Sequence, residues 1–164
     1  MSRHRAFVQE FYPEDHAHCY GCGRLNPYGI RLESAWEGDE VVARYTPRPE
    51  QVAMPGFVYG GLIAALIDCH AMATASAHVE RLAGREIGEA EAPSYVTAAL
   101  HVDYLAPTPH GPELVLRARV RESGRRKQVV EVRLEVAGQE TARGDVIAVP
   151  IPEAMSGTAP RRPG

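Results

Sequence analysis

The chain has 164 residues, the length of one domain with one hydrophobic core. Apolar residues make up 45% and charged residues 24%, ordinary values for a globular protein, which excludes a disordered chain. Eighteen Lys and Arg against twenty-one Asp and Glu leave a net charge of −3, too acidic for a protein that must neutralise nucleic-acid phosphates.

Three cysteines cannot close a disulfide set, so a reducing, cytoplasmic location is expected. The first ten residues lack the apolar run of a secretory leader, and no stretch is expected to reach the ~20 apolar residues of a membrane-spanning helix. Residues 1–29 read as an irregular lead. Within it Ala6–Phe11 predicts one or two helical turns ended by Pro13. The segment His16-Ala17-His18-Cys19-Tyr20-Gly21-Cys22-Gly23 then runs into the turn Asn26-Pro27-Tyr28-Gly29.

Period-two alternation begins at Ile30 and predicts a hairpin that turns at Gly38-Asp39 and returns over Val41–Thr46. After a proline-rich loop, Tyr59 to Leu82 predicts one long helix, rich in Ala and Leu and apolar on nearly every side. Such a helix is buried in a core. Four strands are expected next, at Ser94–Leu105, Glu113–Glu122, Val129–Val136 and Thr141–Pro150. Their short connections require antiparallel neighbours. Residues 153–164 read as a loose tail. One antiparallel sheet wrapped around one helix satisfies this order, and it leaves the other sheet face for a partner subunit.

Two features of the helix carry chemistry. Asp68 stands between Ile67 and Cys69 among apolar residues, where a carboxylate is paired, hydrogen-bonded or raised in pKa by desolvation. It reads equally as a catalytic group or as a structural Asp bonded to a loop or facing an interface. Gly60 and Gly61 open the helix. Their N–H groups lack intrahelical partners and sit at the positive end of the dipole, a place for an oxyanion or simply a loop-to-helix junction. Asp68 follows Gly61 by two turns on the same face, ~10 Å away.

Pro55-Gly56-Phe57-Val58-Tyr59-Gly60-Gly61 leading into Leu66-Ile67-Asp68, followed by Tyr104-Leu105-Ala106-Pro107 at the end of a strand, resembles the hotdog-fold acyl-CoA thioesterases, and among them the PaaI-like and THEM-type group. Cys19-x-x-Cys22-Gly23 with Asn26-Pro27-x-Gly29 resembles the lead of uncharacterised members. The resemblance spans roughly Cys19–Val149. It implies an α+β hotdog domain over residues 30–152, a homodimer or tetramer, and hydrolysis of an acyl-CoA thioester without metal or redox cofactor. It implies Asp68 as general base or nucleophile, the Gly60 and Gly61 amides as the carbonyl polariser, and Thr97, from the other subunit, as the hydroxyl that positions water. The family's His before the glycines is Tyr59 here, and the Asn some members carry six residues earlier is Ala53. Tyr59 donates a hydrogen bond but cannot serve as an imidazole, which keeps a non-catalytic acyl-CoA-binding module open as the second reading.

The remaining candidates are local. Arg125-Arg126-Lys127 on a hairpin reads as a solvated turn, or in this family as a contact for the phosphates of coenzyme A. His16, His18, Cys19 and Cys22 are all possible zinc ligands, but no second ligand pair follows along the chain, so a packing role is expected instead of a metal. Cys69 reads as a small apolar filler, and His70, His78 and His101 as packed or solvated histidines.

Overall fold

In a computed structural model that describes residues 5–156, the strands are β1 (Ser34–Glu37), β2 (Glu40–Tyr45), β3 (Tyr95–Tyr104), β4 (Leu114–Ser123), β5 (Gln128–Val136) and β6 (Gln139–Pro150). They form one antiparallel sheet in the order β1-β2-β4-β5-β6-β3, and α1 (Gly60–Leu82) packs on it. This is the hotdog arrangement that the element order implies.

The hairpins follow from local backbone chemistry. Gly38, at φ 64°, turns β1 into β2. Ala137 and Gly138, both at positive φ (48° and 81°), join β5 to β6 through a two-residue turn whose hand matches the strand twist. β1 starts four residues later than the alternation predicts. Arg31 has φ 58°, which breaks an extended run, and the Ile30 and Leu32 N–H groups bond to the carbonyls of Tyr20 and Gly21 at 2.7 and 3.0 Å. The apolar residues of this stretch still face the core, but they do so beside the lead and not in the sheet.

α1 is apolar all round because it is covered on two sides. Leu66 and Ile67 meet the sheet residues Leu116, Val130, Val132 and Leu134. On the other side Ala73 and Ala77 meet Val8 and Tyr12 from the lead. By length and composition α1 does reach what a membrane-spanning helix needs, contrary to the sequence expectation, yet 72% of its most apolar window is buried inside the fold. Gly144 on β6 lets it approach: a Cβ there would lie 2.4 Å from Ile67 Cγ2. The helix stops in a Schellman turn, with Gly84 at φ 74° and the Arg85 N–H donating to the Glu80 carbonyl at 3.0 Å.

The lead is part of this packing. Its expected helical turns are a 3-10 turn at Val8–Phe11, and a second occupies Glu14–His16. Gln9 is buried and ties the lead to β1 and α1. Its Nε2 donates to Ser34 Oγ (3.2 Å) and its Oε1 accepts from the Ser34 N–H (2.8 Å). Ser34 Oγ lies 2.9 Å from Nδ1 of the fully buried His70, whose Nε2 lies 3.0 Å from the Val41 carbonyl. The neutral imidazole with its proton on Nε2 satisfies every partner: it donates to Val41 and accepts from Ser34. Burial, opposed only by the Val41 contact, holds the His70 pKa down at about 4. Of the expected tail, residues 153–155 form a 3-10 turn, and 157–164 lie outside the described residues.

Candidate active site

Among the described residues β3 pairs only with β6, so it forms one edge of the sheet, and it carries a bulge between Thr97 and Ala99. A bulge re-aims a side chain. Here the Thr97 hydroxyl donates a short hydrogen bond to Oδ1 of Asp68, about two turns into α1. The hydroxyl therefore belongs to the same chain as the carboxylate. This corrects the expectation of a Thr97 from the other subunit, because β3 runs alongside α1 within one copy.

Asp68 is half-buried at a cavity of about 350 Å³. Desolvation raises its pKa above the ordinary carboxylate value, the Thr97 hydrogen bond opposes this, and the nearby Cys19 adds to the rise. A carboxylate of this kind is a stronger base than a solvated one and keeps an oriented hydroxyl beside it. The cavity wall comes from distant parts of the chain: Tyr12, His16 and Cys22 from the lead, Met72 from α1, Tyr95 from β3, and Ile151 and Met155 after β6. None of these seven was a candidate for the acyl site in the sequence. In the sequence His16 and Cys22 read only as possible zinc ligands, and no local pattern ties the other five to Asp68.

Gly60 and Gly61 do open α1 as expected, but neither they nor Tyr59 line the Asp68 cavity. The helical rise separates the two ends of the predicted pair, and the glycine end is a distinct surface. There the Tyr104 hydroxyl donates to the Gly60 carbonyl at 2.7 Å. The Tyr59 ring folds back so closely that a Cβ on Gly61 would sit 2.3 Å from its hydroxyl oxygen. Tyr59 and Tyr104 at this end are exposed, as are Met54 and Phe57 in the preceding loop and Leu105 after β3.

Arg125, Arg126 and Lys127 are exposed on the β4–β5 hairpin, closed by the Gly124 N–H donating to the Lys127 carbonyl at 2.9 Å. The sheet register places them. Thr97 pairs with Ala148, and Ala148 with Gln128, so the hairpin springs from the Thr97 end of the sheet, two strands or ~10 Å away.

The four residues considered for zinc do not meet. His16 Nδ1 lies 2.8 Å from Ser94 Oγ, and His18 is exposed. Instead Cys19 and Cys22 meet Cys69 from α1, with the three sulfurs within 4.8 Å of one another. Cys69 is thus more than a filler. Hydrogen bonds from the Cys22 and Cys69 thiols hold the Cys19 thiol pKa far below its ordinary value, while Cys22, in the same exchange, is pushed up to about 12.

A family model for the thioesterase superfamily matches residues 55–143. A thioesterase superfamily protein from Shewanella loihica is 45% identical, with a TM-score of 0.64 over 82% of this chain and 95% of that one. The PaaI protein from the phenylacetic acid degradation operon of Escherichia coli is 16% identical, with a TM-score of 0.60 over 75% and 81% of the two chains. A Streptococcus mutans protein, smu.793, solved bound to acetyl-CoA, is 20% identical, with a TM-score of 0.57 over 73% and 88%. The search among curated proteins finds no match. A sheet wrapped on a buried helix that presents a carboxylate defines a hotdog hydrolase scaffold. The chain belongs to the thioesterase superfamily.

Proposed function

We propose that this protein hydrolyses an acyl-CoA thioester to a free acid and coenzyme A. The observation that carries the assignment is the Asp68–Thr97 pair at the cavity. Asp68 takes a proton from water, and the Thr97 hydroxyl orients that water toward the thioester carbonyl. The carbonyl oxygen becomes an oxyanion, the C–S bond breaks as the oxyanion collapses, and Asp68 returns its proton to the departing thiolate. The neighbour solved with acetyl-CoA supports the substrate class, and Arg125 and Arg126 suit its phosphates.

The Gly60 and Gly61 N–H groups that would hold the oxyanion do not line the Asp68 cavity of their own chain. In our reading a second copy brings its glycine end to the Asp68 of the first. The unpaired β3 edge and the exposed apolar side chains around Tyr59 and Tyr104 support this homodimer, or a tetramer built from it. Three free thiols support a cytoplasmic location.

Thiol release from short, medium and aromatic acyl-CoAs tests the reading. Asp68→Asn should lower kcat by at least ~100-fold. Equal rates in variant and wild type would remove Asp68 from the mechanism, and a stable monomer by light scattering would remove the shared site. The Tyr59 ring over Gly61 favours one second reading, a module that binds acyl-CoA without turnover. Activity that appears only in Tyr59→His would establish it.

A further inference from the structure

We propose that Cys19, Cys22 and Cys69 form a three-thiolate site for a tetrahedral divalent metal of the zinc class, with its fourth coordination position open to the Asp68 cavity. The site goes beyond thioester hydrolysis, which as derived above uses no metal. Cys19 and Cys69 bring their sulfurs to 3.8 Å, and all three sulfurs lie within 4.8 Å of one another. Three sulfurs bonded to one zinc at ~2.3 Å in tetrahedral geometry lie about 3.8 Å apart, so a metal fits with small adjustments of χ angles.

The backbone is shaped for this arrangement. In Cys19-Tyr20-Gly21-Cys22-Gly23 the Gly23 N–H donates to the Cys19 carbonyl at 2.7 Å, a tight turn that returns the Cys22 sulfur toward that of Cys19. Gly21 makes room for the third ligand: a Cβ there would lie 2.2 Å from Cys69 Sγ. Gly23 permits the turn itself, because a Cβ would lie 2.5 Å from both the Ala17 carbonyl oxygen and the Cys19 nitrogen. The second ligand pair that the sequence lacks is replaced by one sulfur from α1, fifty residues after Cys19. Cys22 and Cys69 are buried, Cys19 is exposed, and all three line the cavity, so water or a ligand atom entering from it completes the tetrahedron. Three soft thiolates select zinc over magnesium or calcium, which take oxygen ligands.

The test is titration of the full-length, fully reduced chain with Co²⁺ as the optical probe, followed by displacement with Zn²⁺. One equivalent should produce a thiolate-to-cobalt charge-transfer band with the intense visible bands of a tetrahedral site, and Zn²⁺ should abolish both. Cys19→Ser, Cys22→Ser and Cys69→Ser should each weaken Co²⁺ binding by more than ~10-fold. The wild-type chain should melt higher with Zn²⁺ than with chelator, a readout that does not depend on the variants folding. Absence of the bands in protein with three titratable thiols would overturn the site. So would bands unaffected by Cys69→Ser, which would confine binding to the lead. A chain purified without reductant that shows one titratable thiol, and three after reduction, would make the cysteines a redox disulfide pair and overturn the metal.

Discussion

Lowering the pH from 7 to 5 should destabilise this fold, chiefly through the fully buried His70. Its folded pKa is held at about 4 by burial against an ordinary value of 6.5, so the unfolded chain binds a proton that the folded chain refuses. The stability it contributes is therefore present above pH 6.5 and is lost as the pH falls toward 4. Integrating between those two values, the loss from pH 7 to pH 5 is about 2 kcal/mol. With a urea m-value of about 2 kcal/mol per molar, the midpoint should move down by ~1 M. The Glu37 carboxyl, held at about 2 chiefly by the Arg44 hydrogen bond, contributes mainly below this window. His78, lowered by partial burial and Arg81, and Asp68, raised by desolvation, are unchanged in the variant, so the difference between variant and wild type isolates His70. The variant is His70→Gln, whose amide keeps the donor to the Val41 carbonyl but leaves the Ser34 hydroxyl without its acceptor. It should cost about 1–3 kcal/mol at pH 7 and flatten the dependence between pH 5 and 7. The assay is urea unfolding at fixed protein concentration over that range. A variant with the wild-type slope would refute the assignment of the proton to His70.

The β5–β6 turn holds Ala137 in a left-handed conformation that costs an alanine about 1 kcal/mol, so Ala137→Asn should raise stability by a similar amount in the same unfolding assay. Gly144→Val should lower it by about 1–3 kcal/mol, because the new side chain collides with Ile67 on the helix turn that carries Asp68; loss of activity should accompany the loss of stability. Replacing Arg125 and Arg126 by Ala should raise the KM for an acyl-CoA several-fold at low salt and leave kcat within about twofold, and the difference should shrink as ionic strength rises. Identical KM values at low salt would make the hairpin an ordinary solvated turn.

The elements were legible because their patterns are local. Alternation marks β4, β5 and β6 within a residue or two, and unbroken apolarity marks α1 as buried. The early start assigned to β1 failed at Arg31, where a positive φ, invisible in an alternating pattern, turns the chain toward Tyr20 and Gly21. Asp68 stood out because a carboxylate among apolar residues costs free energy unless something holds it. That its holder is Thr97 of the same chain depends on a bulge and on which strand lies at the sheet edge, and neither is written in spacing. The glycine pair was found, but its place outside the cavity was not, because helical periodicity gives a shared face without saying what covers it. The thiol cluster shows the same gap: Cys69 stands fifty residues from Cys19, with no spacing that ties it to the lead, and only folding brings the lead against α1.

The cavity is made of two kinds of material. Asp68 and Thr97 stand on the helix and sheet, whose spacing is fixed by tight contacts such as Ile67 against Gly144. Much of the opposing wall comes from outside that framework, from Tyr12 to Cys22 on one side and Ile151 to Met155 on the other. Within that wall His16 and Met155 sit on 3-10 turns outside the sheet and α1. Under the proposed function, the reacting groups and the surface that measures the acyl chain are therefore separable. Exchanging Met155 or His16 for bulkier or smaller side chains resizes the chamber while the carboxylate and its hydroxyl stay where the core holds them.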